Sequence, residues 1–215
     1  MTRSLVVVGT DTGIGKTVVA AGLVGALQAS YWKPVQAGLD GETDTETVLR
    51  LAGIARDRAH AEAYRLITPA SPHRAAALDG IEIDTARLLP PHTPRPLVIE
   101  TAGGLLVPLT PHVLQSDVVA RWRLPVVLVA ATRLGTINHT LLTLEALRVR
   151  SIAVIGIIFT GAENADTERT ICAFGSTRSL GCLPLLDPLD SGTLQGAFSR
   201  VIDIAAIKSA LERAP

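Results

Sequence analysis

Aromatic residues are nearly missing from this chain: Phe, Tyr and Trp together make up 3% of its 215 residues. With 47% of residues hydrophobic, the core must be built from Val, Leu, Ile and Ala. That composition suits buried parallel strands covered by helices. Charge of one sign is missing too. Twenty basic residues balance twenty acidic ones, so no surplus argues for nucleic acid or an anionic membrane as partner. Cys172 and Cys182 are the only cysteines, outside any CxxC and without matching histidine spacing. They read as reduced thiols of a cytoplasmic protein rather than as zinc ligands. Long apolar runs are absent. The longest, IAVIGIIF at 152–159, is far too short to span a bilayer. SLVVVG at 4–9 is too short for the apolar stretch of a signal peptide. Lysine is the last scarcity, with Lys16, Lys33 and Lys208 the only three among 20 basic residues. A chain that otherwise uses Arg keeps Lys where a compact point charge is needed.

A chain of this length holds one well-buried core, and residues 1–215 are read as a single domain. Short apolar runs alternate with helical ones. SLVVVG (4–9), PLVIE (96–100), PVVLVAA (125–131) and SIAVIGIIF (151–159) read as strands. Residues 15–30, 44–53, 138–150, 166–175 and 203–214 read as helices, with Asn138 near an N-cap. YWKPV (31–35) is a short extended piece, because Pro34 biases Lys33 away from helix. The Pro- and Ala-rich stretch 68–95 reads as an irregular excursion with one helix around ARLL. This alternation predicts an α/β fold, an open and mostly parallel sheet with helices on both faces. Ligands of such sheets bind outside the carboxyl ends of the strands, so the loops there carry the function.

GTDTGIGKT (9–17) follows the first strand and opens the first helix. It departs from the GxxxxGK[ST] phosphate loop by one residue: five residues separate Gly9 from Gly15, and Thr10 stands where the first glycine belongs. The chemistry survives that departure. Gly13 and Gly15 let backbone N–H groups converge on phosphate oxygens, and the helix N-terminus adds its positive end. Lys16 can bridge the β- and γ-phosphates, and the Thr17 hydroxyl can ligate Mg²⁺. Glu100 ends a strand beside a glycine turn, well placed for the same metal. Asp44, read alone, is a helix cap before it is a ligand.

GTDTGIGKT, KPVQAG, IETAGGLLVPL, RLGTINHTLLTLEAL and GCLPLL, with PASPH at 69–73, together resemble the ordered motifs of the dethiobiotin synthetase family. The resemblance runs from about residue 4 to about 187. It implies a P-loop NTPase-like fold and ATP-dependent ring closure of 7,8-diaminopelargonate with CO₂, through a carbamate and a mixed anhydride, in a homodimer. By that resemblance Lys16, Lys33 and Thr12 serve the reacting groups, and Thr17, Asp44 and Glu100 hold Mg²⁺. Gly13, Ile14, Gly15, Lys16, Thr17 and Val18 would bind the nucleotide. So would Glu100, Thr101, Ala102 and Gly103, with Thr160, Gly161, Pro184, Leu185 and Leu186. Ala37, Leu134, Gly135, Thr136 and Asn138 would meet the second substrate, and His139 is a packing or capping residue rather than a base. The departures from the family pattern are specific. Thr101 stands for a glycine, which adds a side chain beside nucleotide and metal. Ala37 stands for a serine, and Thr160 and Gly161 occupy the place of a base-reading asparagine. Weaker preference for ATP over CTP or GTP is the expected consequence. The short link before WKPV predicts a short second strand or an early helix end. The competing reading is a partition- or site-selection-type ATPase acting as a switch. Its signature lysine is replaced here by Asp11.

Overall fold

The computed structural model describes residues 3–213. Strand β1 (Ser4–Gly9) leads through the glycine loop into α1 (Lys16–Leu27). β2 (Ser30–Trp32) and β3 (Val35–Ala37) follow, then α2 (Asp44–Ala52), β4 (Ala59–His60), β5 (Tyr64–Leu66) and α3 (Pro72–Asp79). The second half runs β6 (Leu97–Gly104), α4 (Gln115–Trp122), β7 (Val126–Ala131), α5 (Thr136–Val149) and β8 (Val154–Thr160). It closes with α6 (Ala165–Phe174), β9 (Ser179–Leu183), α7 (Ser191–Val201) and α8 (Ile204–Arg213).

Seven strands form one sheet in the order β4-β2-β6-β1-β7-β8-β9, and β3 and β5 form a small second sheet. Every pairing between these strands is parallel, so the sheet is wholly rather than mostly parallel. β1 is central and buried along its whole length. Its residues alternate between two apolar layers: Leu5 and Val7 join one, Val6 and Val8 the other. That is the period-two signature of a strand covered on both faces. A third cluster, including Val35, Leu66 and Ala75, lies under the small sheet.

Two expectations need correction, and a third is met. The helix in 68–95 is Pro72–Asp79, while Thr85–Arg87 forms only a 3₁₀ turn. Ser71 followed by Pro72 at the first helical position is a standard helix start that the surrounding prolines obscured. The helix expected from Asn138 starts at Thr136 with Gly135 as its cap, so Asn138 lies in its first turn. The short link before WKPV has the predicted effect in both forms: α1 ends at Leu27, and β2 has three residues.

Candidate active site

The carboxyl ends of β1, β6 and β2 deliver most of the polar residues singled out in the sequence. Gly13 and Gly15 both adopt left-handed φ, 69° and 89°, which the turn into α1 requires. Gly9 matters for a different reason. A Cβ there would stand 2.8 Å from Lys16 Cδ and 2.9 Å from Ile14 Cδ1, so the lysine stem lies across the strand end where no side chain fits. Lys16 is buried, and its Nζ donates to the Asp11 carbonyl at 2.7 Å. Burial chiefly, with the nearby Lys33 charge, holds its pKa down to about 8 despite the opposing pull of Glu100.

Three groups converge on Glu100, which is 1% exposed. Its Oε1 accepts from the Thr17 hydroxyl at 2.9 Å and from Lys33 Nζ at 3.0 Å; its Oε2 accepts from the Tyr31 hydroxyl at 2.8 Å. Asp44 completes the cluster, with Oδ2 2.6 Å from Lys33 Nζ and Oδ1 accepting from Thr17 at 3.0 Å. Asp44 is the first residue of α2 and not its cap. Thr43 is the cap, closed into a capping box by Glu46, and this fixes where the helix begins and which way Asp44 faces. Burial pushes the Lys33 pKa down, but the charges of Glu100 and Asp44 outweigh it and the net shift is upward. Burial raises the Asp44 pKa, and the Lys33 ammonium and its hydrogen bond reverse that to a net lowering. Burial, then Glu100, raises the Tyr31 phenol well above its usual value.

Among the described residues no group of three His, Cys, Asp or Glu side chains is arranged to hold a metal. Magnesium does not require one. It takes one or two carboxylates, a hydroxyl, water and phosphate oxygens, and Thr17, Asp44 and Glu100 already share hydrogen bonds as a set of hard oxygen donors.

A cavity of about 440 Å³ opens beside this cluster. Thr12, Lys33, Ala37, Asp44, Ala102 and Gly103 line it, all six of them residues expected at the site, Asp44 as a metal ligand. The remaining wall is Pro69, Ala70, Ser71, Pro72 and Val107. The PASPH motif pointed to the first four, yet none was named as a site residue. Asp79, at the end of α3, holds that wall by accepting from the Ile67 and Thr68 amides and the Thr68 hydroxyl. Gln115 pins the opposite wall, accepting from the Ala102 amide and donating to the Gly104 carbonyl.

Several residues expected at the site turn their side chains elsewhere. The Thr101 hydroxyl is buried and donates to the Val7 carbonyl at 3.0 Å, because it points to the face of β6 opposite Glu100. It therefore adds no bulk beside the cluster. Its carbonyl alone faces Lys33, at 3.4 Å. The Ile14 side chain is buried and Val18 packs against the same apolar layer, so both offer the site backbone only. The Thr160 hydroxyl donates to the Ile14 carbonyl at 2.7 Å and ties β8 to the glycine loop. Gly161 has φ 114° and donates its amide to Leu183, next to the exposed Pro184 and Leu185 and half-buried Leu186. Leu134, Gly135 and Asn138 are exposed, Thr136 is buried, and none of the four lines the cavity. Cys172 and Cys182 are free thiols, and burial, then Glu168, pushes Cys182 up to about 11.

A glycine loop between a central parallel strand and a helix, with a buried Lys and a Thr hydroxyl at the helix start, defines a P-loop nucleotide-binding protein. An AAA-domain family model matches residues 3–193. The ATP-dependent dethiobiotin synthetase of Nitrobacter hamburgensis is 60% identical over 93% of this chain and 94% of its own length. That of Agrobacterium fabrum is 57% identical over 95% of this chain and 97% of its own. This chain belongs to the dethiobiotin synthetase family. Among solved structures, a ParA family ATPase from Chlorobium tepidum superposes with a TM-score of 0.57 at 13% identity, covering 98% of each chain. The cell division ATPase MinD of Pyrococcus furiosus gives 0.52 at 16%, covering 99% of this chain and 98% of its own. Those two likenesses extend to the fold alone, so the switch-ATPase reading rests on architecture and not on the site.

Proposed function

We propose that the chain converts 7,8-diaminopelargonate, CO₂ and ATP to dethiobiotin, ADP and phosphate, the ring-closing step of biotin synthesis. One observation carries the reading beyond family membership: Lys33 is buried, charged, and set in the wall of a cavity that adjoins the phosphate loop. A substrate amine first takes up CO₂ as a carbamate and loses a proton. A carbamate oxygen then attacks the γ-phosphorus and ADP leaves. The second amine attacks the activated carbonyl, phosphate departs, and the ureido ring closes.

The difficulty is electrostatic, because carbamate and γ-phosphate are both anions. Lys16 and Lys33 offset their repulsion from fixed, dry positions, where a cation acts most strongly. Thr12 and Ser71 face the same cavity and orient the substrate. Mg²⁺, held by Thr17, Asp44 and Glu100, would neutralise phosphate charge.

Leu134 is fully exposed, and Ile137, Leu142 and Val149 on α5 are exposed as well. Two copies joined over this helix would cover them and bring Gly135, Thr136 and Asn138 to the partner's cavity. With the Thr160 hydroxyl committed to Ile14 and no side chain on Gly161, base selection falls to the backbone; ATP, CTP and GTP should compete within about tenfold of one another, a spread worth about 1.4 kcal/mol. No helix among the described residues is long and apolar enough to cross a membrane, and the compartment proposed is the cytoplasm.

The test is direct. Protein, MgATP, bicarbonate and 7,8-diaminopelargonate should yield dethiobiotin by mass, and Lys16→Ala or Lys33→Ala should abolish it. ATP hydrolysis indifferent to the diamine, with no product, would reject the synthetase reading in favour of the switch.

A further inference from the structure

We infer that Tyr31 is a positioning residue for the metal–nucleotide: its buried hydroxyl fixes one oxygen of Glu100 so that the other stays turned to the phosphates. This rests on the reading of Glu100 as a Mg²⁺ ligand.

A carboxylate has two equivalent oxygens and rotates readily unless something distinguishes them. Here the two have separate partners. Oε1 takes the Thr17 hydroxyl and the Lys33 ammonium, the groups that face the site. Oε2 takes only the phenol among the hydrogen bonds described, at 2.8 Å. Tyr31 has no exposed surface and sits among the apolar side chains packed on one face of the sheet. Its ring therefore cannot swing away, and its hydroxyl has no solvent to turn to. Tyr31 and Lys33 are two residues apart in an extended segment, so both reach the same face and the same carboxylate. The segment from β2 into Lys33 thus supplies one donor to each oxygen of Glu100. Removing the phenol hydroxyl would leave Oε2 buried without that donor, and the carboxylate would turn toward Lys33 and Thr17 with either oxygen. Groups that orient a metal ligand in this way commonly change metal affinity about 10- to 100-fold when removed.

Tyr31→Phe keeps the ring and its packing. Mn²⁺ with ADP, followed by the electron paramagnetic resonance of free Mn²⁺, reads the effect without turnover. We expect Mn²⁺–ADP affinity to fall about tenfold in Tyr31→Phe, while metal-free ADP binds as in the parent. Glu100→Gln should also weaken Mn²⁺–ADP, and adding Tyr31→Phe to it should cost nothing further, since Tyr31 acts through Glu100. Undiminished Mn²⁺–ADP affinity in Tyr31→Phe, with Glu100→Gln weakened, overturns the inference and leaves the ligand reading intact. Full additivity in the double variant also overturns it. An unaffected Glu100→Gln overturns both. The parent chain gives a second measurement that depends on no variant. It has two tyrosines, so labelling with 3-fluorotyrosine yields two ¹⁹F resonances. Mg²⁺–ADP should shift the Tyr31 line more than ADP alone does, and should leave Tyr64 in place. An unmoved Tyr31 line counts against the inference.

Discussion

Two regions of this protein carry opposite physics. Around Glu100 the charges are dry: Lys33 is 3% exposed, Glu100 1%, and each oxygen and ammonium has a partner within about 3 Å. Around Leu134 the chain stands in solvent, with a fully exposed leucine beside Arg133, which pairs with Asp11 at 2.5 Å across the mouth of the glycine loop. The first region is finished within one chain. The second has an apolar surface that nothing among the described residues covers. A buried cluster sets chemistry and tolerates no change, whereas an exposed one derives its value from what covers it.

The comparison breaks most severely at Lys33. Lys33→Met should lower kcat at least about 10³-fold, by removing a fixed cation from a dry site. It should also destabilise the fold by about 3–5 kcal/mol in urea denaturation, because Glu100 and Asp44 lose their countercharge. A variant that keeps its stability would mean that Glu100 takes up a proton or water in its place. Next in size is Leu134→Asp. If α5 joins two copies, this charge should weaken association by about 2 kcal/mol or more. Sedimentation should then report monomers, with activity regained at high protein concentration. A monomeric parent chain would remove the basis for the contrast.

Asp79→Ala lies between the two regimes. Asp79 is half-buried and holds the Pro69–Pro72 wall through three hydrogen bonds. KM for the diamine should rise about three- to tenfold with kcat little changed, as expected when binding is lost equally in ground and transition states. The Asp79 pKa is depressed by the Thr68 hydroxyl and the two amides. The clamp is therefore complete above the ordinary carboxylate range and fails only as pH falls through the lowered value, so it leaves no inflection in KM near neutrality. The smallest effect belongs to Arg133→Ala. Its bridge to Asp11 is exposed on both sides, and such pairs contribute under about 1 kcal/mol. Activity should change less than about fivefold and the difference should vanish in high salt.

The same contrast governs what could be read from the amino acids alone. Buried strands announce themselves: SLVVVG and PVVLVAA have little choice but to be covered on both faces. The glycine loop is legible because its function is local, with glycines, Lys16 and Thr17 in one segment. Lys33 and Asp44 were legible by resemblance, and the bare sequence left Asp44 as a cap although Thr43, with Glu46 three residues on, carries the capping-box spacing. The role of Tyr31 was invisible, since its partner Glu100 lies 69 residues away. Thr101 was misread for a related reason. Which face a strand residue takes depends on register, and that sends the Thr101 hydroxyl to Val7 rather than to the nucleotide. β9 was missed because SLGCL is short and only half buried, and α7 because its Asp190–Thr193 start follows a loop without apolar periodicity.

The place of β1 in the sheet bears on how the chain is made. Its two neighbours are residues 97–104 and 126–131. During synthesis β1 emerges well before either of the two strands that will flank it. For the time needed to synthesise half the chain, roughly 5–20 s at usual elongation rates of about 5–20 residues per second, residues 4–9 have α1 to lean on and no strand beside them. Parallel pairing of this range is slow by nature. The phosphate loop, which is the earliest piece of the active site to be translated, is thus among the last to become rigid.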